Sequence, residues 1–302
     1  MEETKIKTAY QTKSTLLFMV FGDRCINQAF FSLFSILDIY QGEKTEFDIH
    51  IITDCPESFK PLETLLPLKI KHIDASVLKS WKGIEGNMMR AKIETILHVL
   101  RSTGGNVLYL DSDTVLMHRI DWIFQYLAAG GYVMHKPEWR LGAGRKNHPE
   151  LCPFDLEFTL SSGGVLKINS DSPMCNAGVI GVGTGSIKLV EAVMELYQKL
   201  YSNCPSWHIE QFAFSILLSR TKKLKFCRRE IFHYWHNKDL AKSYIGAFDA
   251  EVGDAKVRQY RRVKLHFVWL ARIHFYIHQL RVVTRKNIYL YKMFVYLRGN
   301  KS

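Results

Sequence analysis

Residues 106–114 have the sequence Asn-Val-Leu-Tyr-Leu-Asp-Ser-Asp-Thr, and this stretch predicts the fold of the chain. Val107 to Leu110 is a short apolar run typical of a strand that is buried on both faces, as in parallel sheets covered by helices. Asp111 and Asp113 follow this run directly. Because ligands of parallel α/β sheets bind beyond the carboxyl ends of the strands, the two carboxylates lie where a binding site is expected.

Upstream of this stretch, short apolar runs alternate with segments of helical periodicity. We predict strands at Leu16 to Phe21, Phe47 to Thr53 and Leu68 to Ile73, and helices at Ile26 to Tyr40 and Asn87 to Arg101. The alternation predicts an α/β fold whose mainly parallel sheet is flanked by helices.

Downstream, the pattern is looser. The segment Trp139 to Gly164, rich in glycine, proline and charge, predicts a long irregular excursion. The remaining predicted elements are strands or extended segments at Gly131 to His135, Ala177 to Val182, Leu224 to Cys227 and Ile231 to Trp235, and helices at Ile187 to Tyr201 and Glu210 to Leu218. We expect residues 1–255 to form the α/β domain and residues 256–302 a basic, aromatic-rich helical tail.

The charge of the chain is concentrated at its C-terminal end. The 302 residues include 41 Lys and Arg and 29 Asp and Glu, for a net charge of +12. Residues 255–302 hold twelve of the basic residues and no acidic one, so that the preceding residues are formally neutral. A basic amphipathic helix with aromatic residues suits an anionic membrane surface. The alternatives are a helix packed on the α/β domain with a solvated basic face, and single-stranded nucleic acid binding, which no recognised motif supports.

The N-terminal run Leu16 to Phe21 is too short for a signal peptide or a membrane span. Six scattered cysteines contain no C-x-x-C pair, which favours reduced thiols over a zinc site. We therefore expect a cytoplasmic protein, peripheral at the inner membrane face.

Asp111 and Asp113 together offer hard oxygen ligands for Mn²⁺ or Mg²⁺, and such an ion could hold a diphosphate. The alternative interpretation is a turn after the strand, because Asp and Ser also favour turns and helix N-termini.

Six segments in order along residues 16–238 resemble the nucleotide-sugar glycosyltransferases of the GT-A fold, nearest to the glycogenin and lipopolysaccharide-galactosyltransferase group. They are Phe18-Met-Val-Phe-Gly-Asp23, a helix opening with Arg90 and Lys92, Leu108-Tyr-Leu-Asp-Ser-Asp113, Cys175-Asn-Ala-Gly-Val-Ile180, Glu210-Gln211 and Phe232-His-Tyr-Trp-His-Asn-Lys238. Two of them depart from the family pattern. Glu210 replaces the usual Asp, and His236 stands where a Gly is usual, with Lys238 one residue early.

The resemblance implies a Rossmann-like GT-A domain that transfers a sugar from a nucleotide-diphosphate sugar, UDP-linked, to a hydroxyl acceptor such as a lipid-linked, lipopolysaccharide or capsule-type glycan. It implies Mn²⁺ or Mg²⁺ bound by Asp111, Asp113 and His233, with His236 as the alternative imidazole. The implied catalytic residues are Gln211 and Glu210, with retention of configuration. As the alternative, a Glu at position 210 could act as a nucleophile, or as the general base of an inverting reaction. The implied nucleotide-sugar site comprises Gly22, Asp23, Arg90, Asp111, Ser112, Asn176, Ala177, Gly178 and Lys238.

Within this site, Arg90 is expected to bridge the carboxylates to the diphosphate and Lys238 to neutralise the leaving group. Two other functions stay open. A sugar-1-phosphate nucleotidyltransferase should carry a glycine-rich loop after the first strand, whereas Gly22 stands alone there. A non-enzymatic basic protein that binds membrane or nucleic acid would use Asp111 and Asp113 only as a turn.

Overall fold

The structure, a computed structural model, describes residues 13–144, 151, 156–245, 257–271 and 273. The chain divides into two compact units, Met1–His233 and Tyr234–Ser302. The domain boundary predicted at residue 255 lies outside the described residues.

The first unit is built on a seven-stranded sheet with the strand order β10-β6-β9-β4-β1-β2-β3. Strand β9 is antiparallel to both of its neighbours, and the other neighbouring pairs are parallel. The predicted mainly parallel α/β sheet is therefore confirmed. The strands are β1 (Ser14–Val20), β2 (Asp48–Thr53), β3 (Leu68–His72), β4 (Asn106–Leu110), β5 (Thr114–Leu116), β6 (Tyr132–Arg140), β7 (Leu156–Thr159), β8 (Val165–Ile168), β9 (Pro173–Val182), β10 (Leu224–Phe226) and β11 (Ile231–His233).

Helices cover the sheet. In the first unit they are α1 (Asp23–Tyr40), α2 (Ala75–Lys82), α3 (Met88–Thr103), α4 (Asp121–Ala128), α5 (Leu141–Gly144), α6 (Ile187–Asn203) and α7 (Ile209–Arg220), with a 3₁₀ turn at Pro56–Leu62. Helices α3, α6 and α7 contact one another. Their apolar faces share one buried cluster with Leu17, Val107 and Tyr109 of the central strands. Since side chains alternate along a strand, Leu16, which precedes Leu17, and Leu108, which lies between Val107 and Tyr109, face the other side of the sheet.

The prediction of an irregular excursion from Trp139 to Gly164 is wrong in part. Strand β6 continues to Arg140, and β7 and β8 form an antiparallel hairpin. Register shifts between β6 and β9 fall on both sides of Pro137, so the strand accommodates a residue without a backbone N–H. The predicted strand stops at His135, two residues before the proline, whereas β6 continues through the proline to Arg140.

The second unit contains a 3₁₀ turn at Trp235–Asn237, helix α8 (Lys238–Ile245) and a helix over residues 257–271. The predicted helical character of the tail is thus present in its first part, and residues 274–302 lie outside the described residues. Within the described ranges, no helix combines the length and the hydropathy needed to cross a membrane.

Candidate active site

The two carboxylates of the Asp-Ser-Asp stretch lie in a turn that backbone hydrogen bonds hold in place. Strand β4 is buried along its whole length and ends at Leu110. The backbone N–H of Asp111 donates to the carbonyl of Gly178 on β9 at 2.9 Å. The Thr114 hydroxyl donates to the Asp111 carbonyl at 2.8 Å, and Ser112 donates to Gln28 at 3.2 Å. The strand and its neighbour therefore fix where the carboxylates lie.

His233 completes a candidate metal site with these carboxylates. It belongs to β11, which pairs antiparallel with β5 so that His233 lies opposite Thr114. Its Nε2 lies 3.0 Å from Asp113 Oδ1 and 3.9 Å from Asp111 Oδ2. The three ligand atoms are within 4.8 Å of one another. Two carboxylate oxygens and one imidazole nitrogen form a donor set that suits Mn²⁺.

Hydrogen bonds around Asn176 determine which nitrogen of His233 carries a proton. The Asn176 Oδ1 accepts from the Gly178 N–H at 3.0 Å, while its Nδ2 donates to Glu138 at 3.0 Å. His233 Nδ1, 2.8 Å from the same Oδ1, must therefore donate. In the neutral ring this leaves the Nε2 lone pair directed at Asp113, and a cation between these atoms removes their repulsion. The residues present thus fit a metal ion.

Glycine is required at position 178 for a steric reason. A Cβ atom there would collide with the imidazole ring of His233. The predicted small-residue segment Asn176 to Gly178 therefore lies directly against the metal site, where its carbonyl and amide groups contact Asp111 and His233.

Lys92 is a buried cation beside the carboxylates. Its Nζ lies 3.0 Å from Asp111 Oδ1 and 3.4 Å from Glu210 Oε1, and it donates to the Ala177 carbonyl at 3.3 Å. Burial alone would lower the pKa of Lys92, but the charges of Asp111 and Glu210 outweigh burial and raise that pKa. Lys92 is therefore charged at neutral pH.

Arg90 does not occupy the position expected for it. Its guanidinium donates to the carbonyls of Ser80 at 2.9 Å and Trp81 at 2.6 Å, and it pairs with Glu94 at 3.1 Å. The cation next to Asp111 is Lys92, two residues later on α3. Two residues along an α-helix change the direction of the side chain by about 200°, so only one of the two cations can face the carboxylates.

Glu210 and Gln211, the predicted catalytic pair, differ in accessibility. The side chain of Glu210 is 2% exposed and lies against Lys92. Burial raises the pKa of Glu210 to about 7, against the opposing effect of the Lys92 charge. Gln211 is only partly buried, and its amide is fixed at both ends. Its Oε1 accepts from the Ala177 N–H at 3.4 Å and its Nε2 donates to Glu138 at 2.8 Å.

Two site residues were absent from the sequence predictions. Glu138 of β6 accepts from both Gln211 and Asn176. His135 lies edge-on to His233, with ring centroids 5.6 Å apart. Burial lowers the pKa of His135 to about 3. Glu138 lies beyond the strand predicted at Gly131 to His135, and His135 ends that predicted strand without belonging to a recognised motif.

The remaining predicted residues are near the same edge of the sheet or outside the described side chains. Gly22 follows strand β1, which pairs with β4. Its φ is 78°, and its N–H donates to Asp54 at 3.4 Å. Asp23 begins α1. Lys238 begins α8, but its side chain lies outside the described part of the structure, so its predicted contact with a diphosphate stays a prediction.

No protein-family model matches the chain, and no curated protein sequence matches it significantly. Solved structures do resemble it. The apo form of WbbM, a bifunctional glycosyltransferase, is 12% identical with a TM-score of 0.47, over 85% of this chain and 45% of that one. Apo mouse xyloside xylosyltransferase 1 is 15% identical with a TM-score of 0.44, over 72% of this chain and 85% of that one. The galactosyltransferase LgtC, in complex with donor and acceptor sugar analogues, is 11% identical with a TM-score of 0.43, over 70% of this chain and 73% of that one. The chain thus spans under half the length of WbbM.

Proposed function

We propose that the chain is a metal-dependent glycosyltransferase that moves a sugar from a nucleotide-diphosphate sugar, UDP-linked, to a hydroxyl acceptor. The observation that carries the proposal is the convergence of Asp111, Asp113 and His233 at the carboxyl end of β4. His233 lies 120 residues from Asp113 in the sequence, and a turn alone would not require an imidazole 3.0 Å from that carboxylate. The ordered motifs of the sequence predict the same set.

A divalent ion bound by Asp111, Asp113 and His233 would stabilise the negative charge that develops on the leaving nucleotide diphosphate. The chain's own residues prepare the site for this chemistry. Lys92 and the Tyr109 hydroxyl, which donates to Asp111 Oδ1 at 2.9 Å, hold the Asp111 carboxylate in its orientation. Asn176 holds the His233 ring so that Nε2 faces the carboxylates.

The geometry of the catalytic pair supports retention by a front-face displacement. Glu210 is buried against Lys92 and is not accessible as a nucleophile. Gln211 borders the site with a neutral amide, a poor nucleophile, held rigidly by Glu138 and Ala177. A fixed amide can instead orient the transferred sugar through hydrogen bonds.

We further propose a glycan acceptor that is lipid-linked or part of a lipopolysaccharide or capsule, reached from the cytoplasmic face of a membrane. In the helix over residues 257–271, one face exposes basic residues together with Leu265, which is 69% exposed, and Trp269, which is 59% exposed. The exposed basic residues on this face are Arg258, Arg261 and Arg262. Charge and exposed apolar side chains on one helix face suit an anionic lipid surface.

Calorimetric titration of UDP, with Mn²⁺ or with EDTA, tests the proposed function. We expect Mn²⁺-dependent binding by the wild type and by Asp171→Ala, an exposed control, and loss of binding in Asp113→Ala. Failure of UDP, GDP, CDP and dTDP to bind would contradict the proposal. Pyrophosphate formation from a sugar 1-phosphate and a nucleoside triphosphate would favour a nucleotidyltransferase instead.

A further inference from the structure

An exposed tryptophan is held rigidly just before α7, the helix that carries Gln211. Trp207 is 58% exposed. Its indole stacks on the imidazole of His208, with centroids 3.5 Å apart and planes inclined by 30°. His208 is buried, and its Nδ1 lies 3.2 Å from the Ser206 hydroxyl. The exposed indole thus rests on a fixed ring, although burial of that surface against protein would be the usual arrangement for a residue of this size.

A second tryptophan extends this surface toward the site. The ring of Trp139 lies edge-on to His208, with centroids 6.5 Å apart. A Cβ atom at Gly144 would collide with the Trp139 ring, so that ring packs directly on the backbone of α5. We refer to Trp139, His208 and Trp207 together as the aromatic platform.

Polar groups of the candidate active site border the aromatic platform. Glu138 directly precedes Trp139, and Gln211 follows His208 by three residues, about one helical turn. The hydrogen bond between Gln211 and Glu138, 2.8 Å long, joins the two elements. Contacts and neighbouring residues connect the metal site to the platform. Lys92 pairs with Asp111 and Glu210, and Glu210 directly precedes Gln211. Gln211 bonds to Glu138, which directly precedes Trp139 of the platform.

An exposed indole close to an amide and a carboxylate that bond to each other has the chemistry that recognises a pyranose ring. Such a sugar offers an apolar C–H face to an indole and a rim of hydroxyl groups to hydrogen-bond acceptors and donors. We propose that the aromatic platform binds a pyranose unit of the acceptor glycan, with Trp207 as the stacking residue. This inference rests on the proposed function, since the platform lies on or next to the two elements that carry Gln211 and Glu138, the residues that bond to Asn176 and Ala177 beside the candidate metal site.

The test compares Trp207→Ala and Trp207→Phe with Phe226→Ala, which removes an exposed aromatic side chain elsewhere in the first unit. With Mn²⁺ and UDP-glucose or UDP-galactose, two rates are measured: donor hydrolysis, and transfer to methyl glucosides, methyl galactosides and lactose. We expect Trp207→Ala to raise the acceptor KM roughly 3- to 10-fold, with donor hydrolysis unchanged. Trp207→Phe should stay close to the wild type, as should Phe226→Ala.

An unchanged acceptor KM in Trp207→Ala would overturn the inference, as would weaker UDP binding in that variant, which would assign the platform to the nucleotide. If the wild type neither binds UDP nor hydrolyses the donors, the proposed function has failed. The inference is then tested separately by saturation-transfer NMR with the same methyl glycosides. Binding lost in Trp207→Ala supports the platform, and no binding by the wild type refutes it.

Discussion

The buried cation Lys92 provides a quantitative test of the site, through Lys92→Met. The variant keeps the length of the side chain but leaves Asp111 and Glu210 facing each other without a positive charge. The side chain of Lys92 is 4% exposed and that of Glu210 2%, whereas that of Asp111 is 26% exposed, so water cannot replace the lost cation at Glu210. Removing one partner of a buried ion pair costs about 3–5 kcal/mol.

In a domain of this size, that loss of free energy of unfolding corresponds to a fall in Tm of roughly 6–20 °C. Differential scanning fluorimetry at pH 7.5 measures it. The matched control is Arg101→Met on the same helix. Arg101 pairs with Glu191, but the two side chains are 53% and 46% exposed, and such pairs contribute below about 1 kcal/mol.

A second variant separates the lost charge from the lost packing. Lys92→Met combined with Glu210→Gln leaves only Asp111 ionised, so we expect it to be more stable than Lys92→Met alone, by about 0.5–3 kcal/mol of coupling. The reasoning would be refuted if Lys92→Met melted within 2 °C of Arg101→Met, or if the two substitutions were strictly additive.

Three further predictions follow from individual contacts. Burial raises the pKa of Glu210 from 4.5 to about 7, so the wild type should lose on the order of 3 kcal/mol of stability as pH rises from 4.5 to 7. Thermal melts of Glu210→Gln should not show this fall in stability with pH. Stability that falls equally with pH in both proteins would contradict the prediction. Gly178→Ala should displace the His233 ring and weaken Mn²⁺ binding roughly 10- to 100-fold by calorimetry, whereas Gly164→Ala, in open space, should not. In Trp269→Ala, less protein should sediment with phosphatidylglycerol vesicles, whereas Trp207→Ala should sediment like the wild type. Equal binding of the wild type to phosphatidylcholine and phosphatidylglycerol vesicles would exclude an electrostatic attraction to anionic lipid.

The sequence predicted the parts of the fold that local patterns determine. A short apolar run followed by Asp111 and Asp113 is the pattern of a buried strand that ends there, and the structure has β4 at this place. His233 followed from the order of the motifs, because its 120-residue separation from Asp113 has no local signature. The choice between Arg90 and Lys92 depended on the rotation of α3 about its axis, which packing against the sheet determines.

Glu138 shows why the site could not be completed from the sequence. Pro137 interrupts the pattern of a strand, yet register shifts between β6 and β9 let the strand continue. These shifts bring Lys136 opposite Asn176 and Trp139 opposite Met174. The position of Glu138 between Asn176 and Gln211 is therefore a consequence of irregular pairing with another strand, and no pattern within residues 132–140 encodes it.

The antiparallel strand β9 explains how the two halves of the site are held together. On one side, Gly178 accepts from the Asp111 N–H and Asn176 fixes the ring of His233. On the other, the Ala177 N–H binds Gln211 and the Asn176 amide binds Glu138. Three consecutive residues thus join the metal-binding side chains to those that border the aromatic platform. A shift of this segment would disturb both sets at once, so Gly178→Ala should impair sugar transfer more than its effect on Mn²⁺ affinity alone explains.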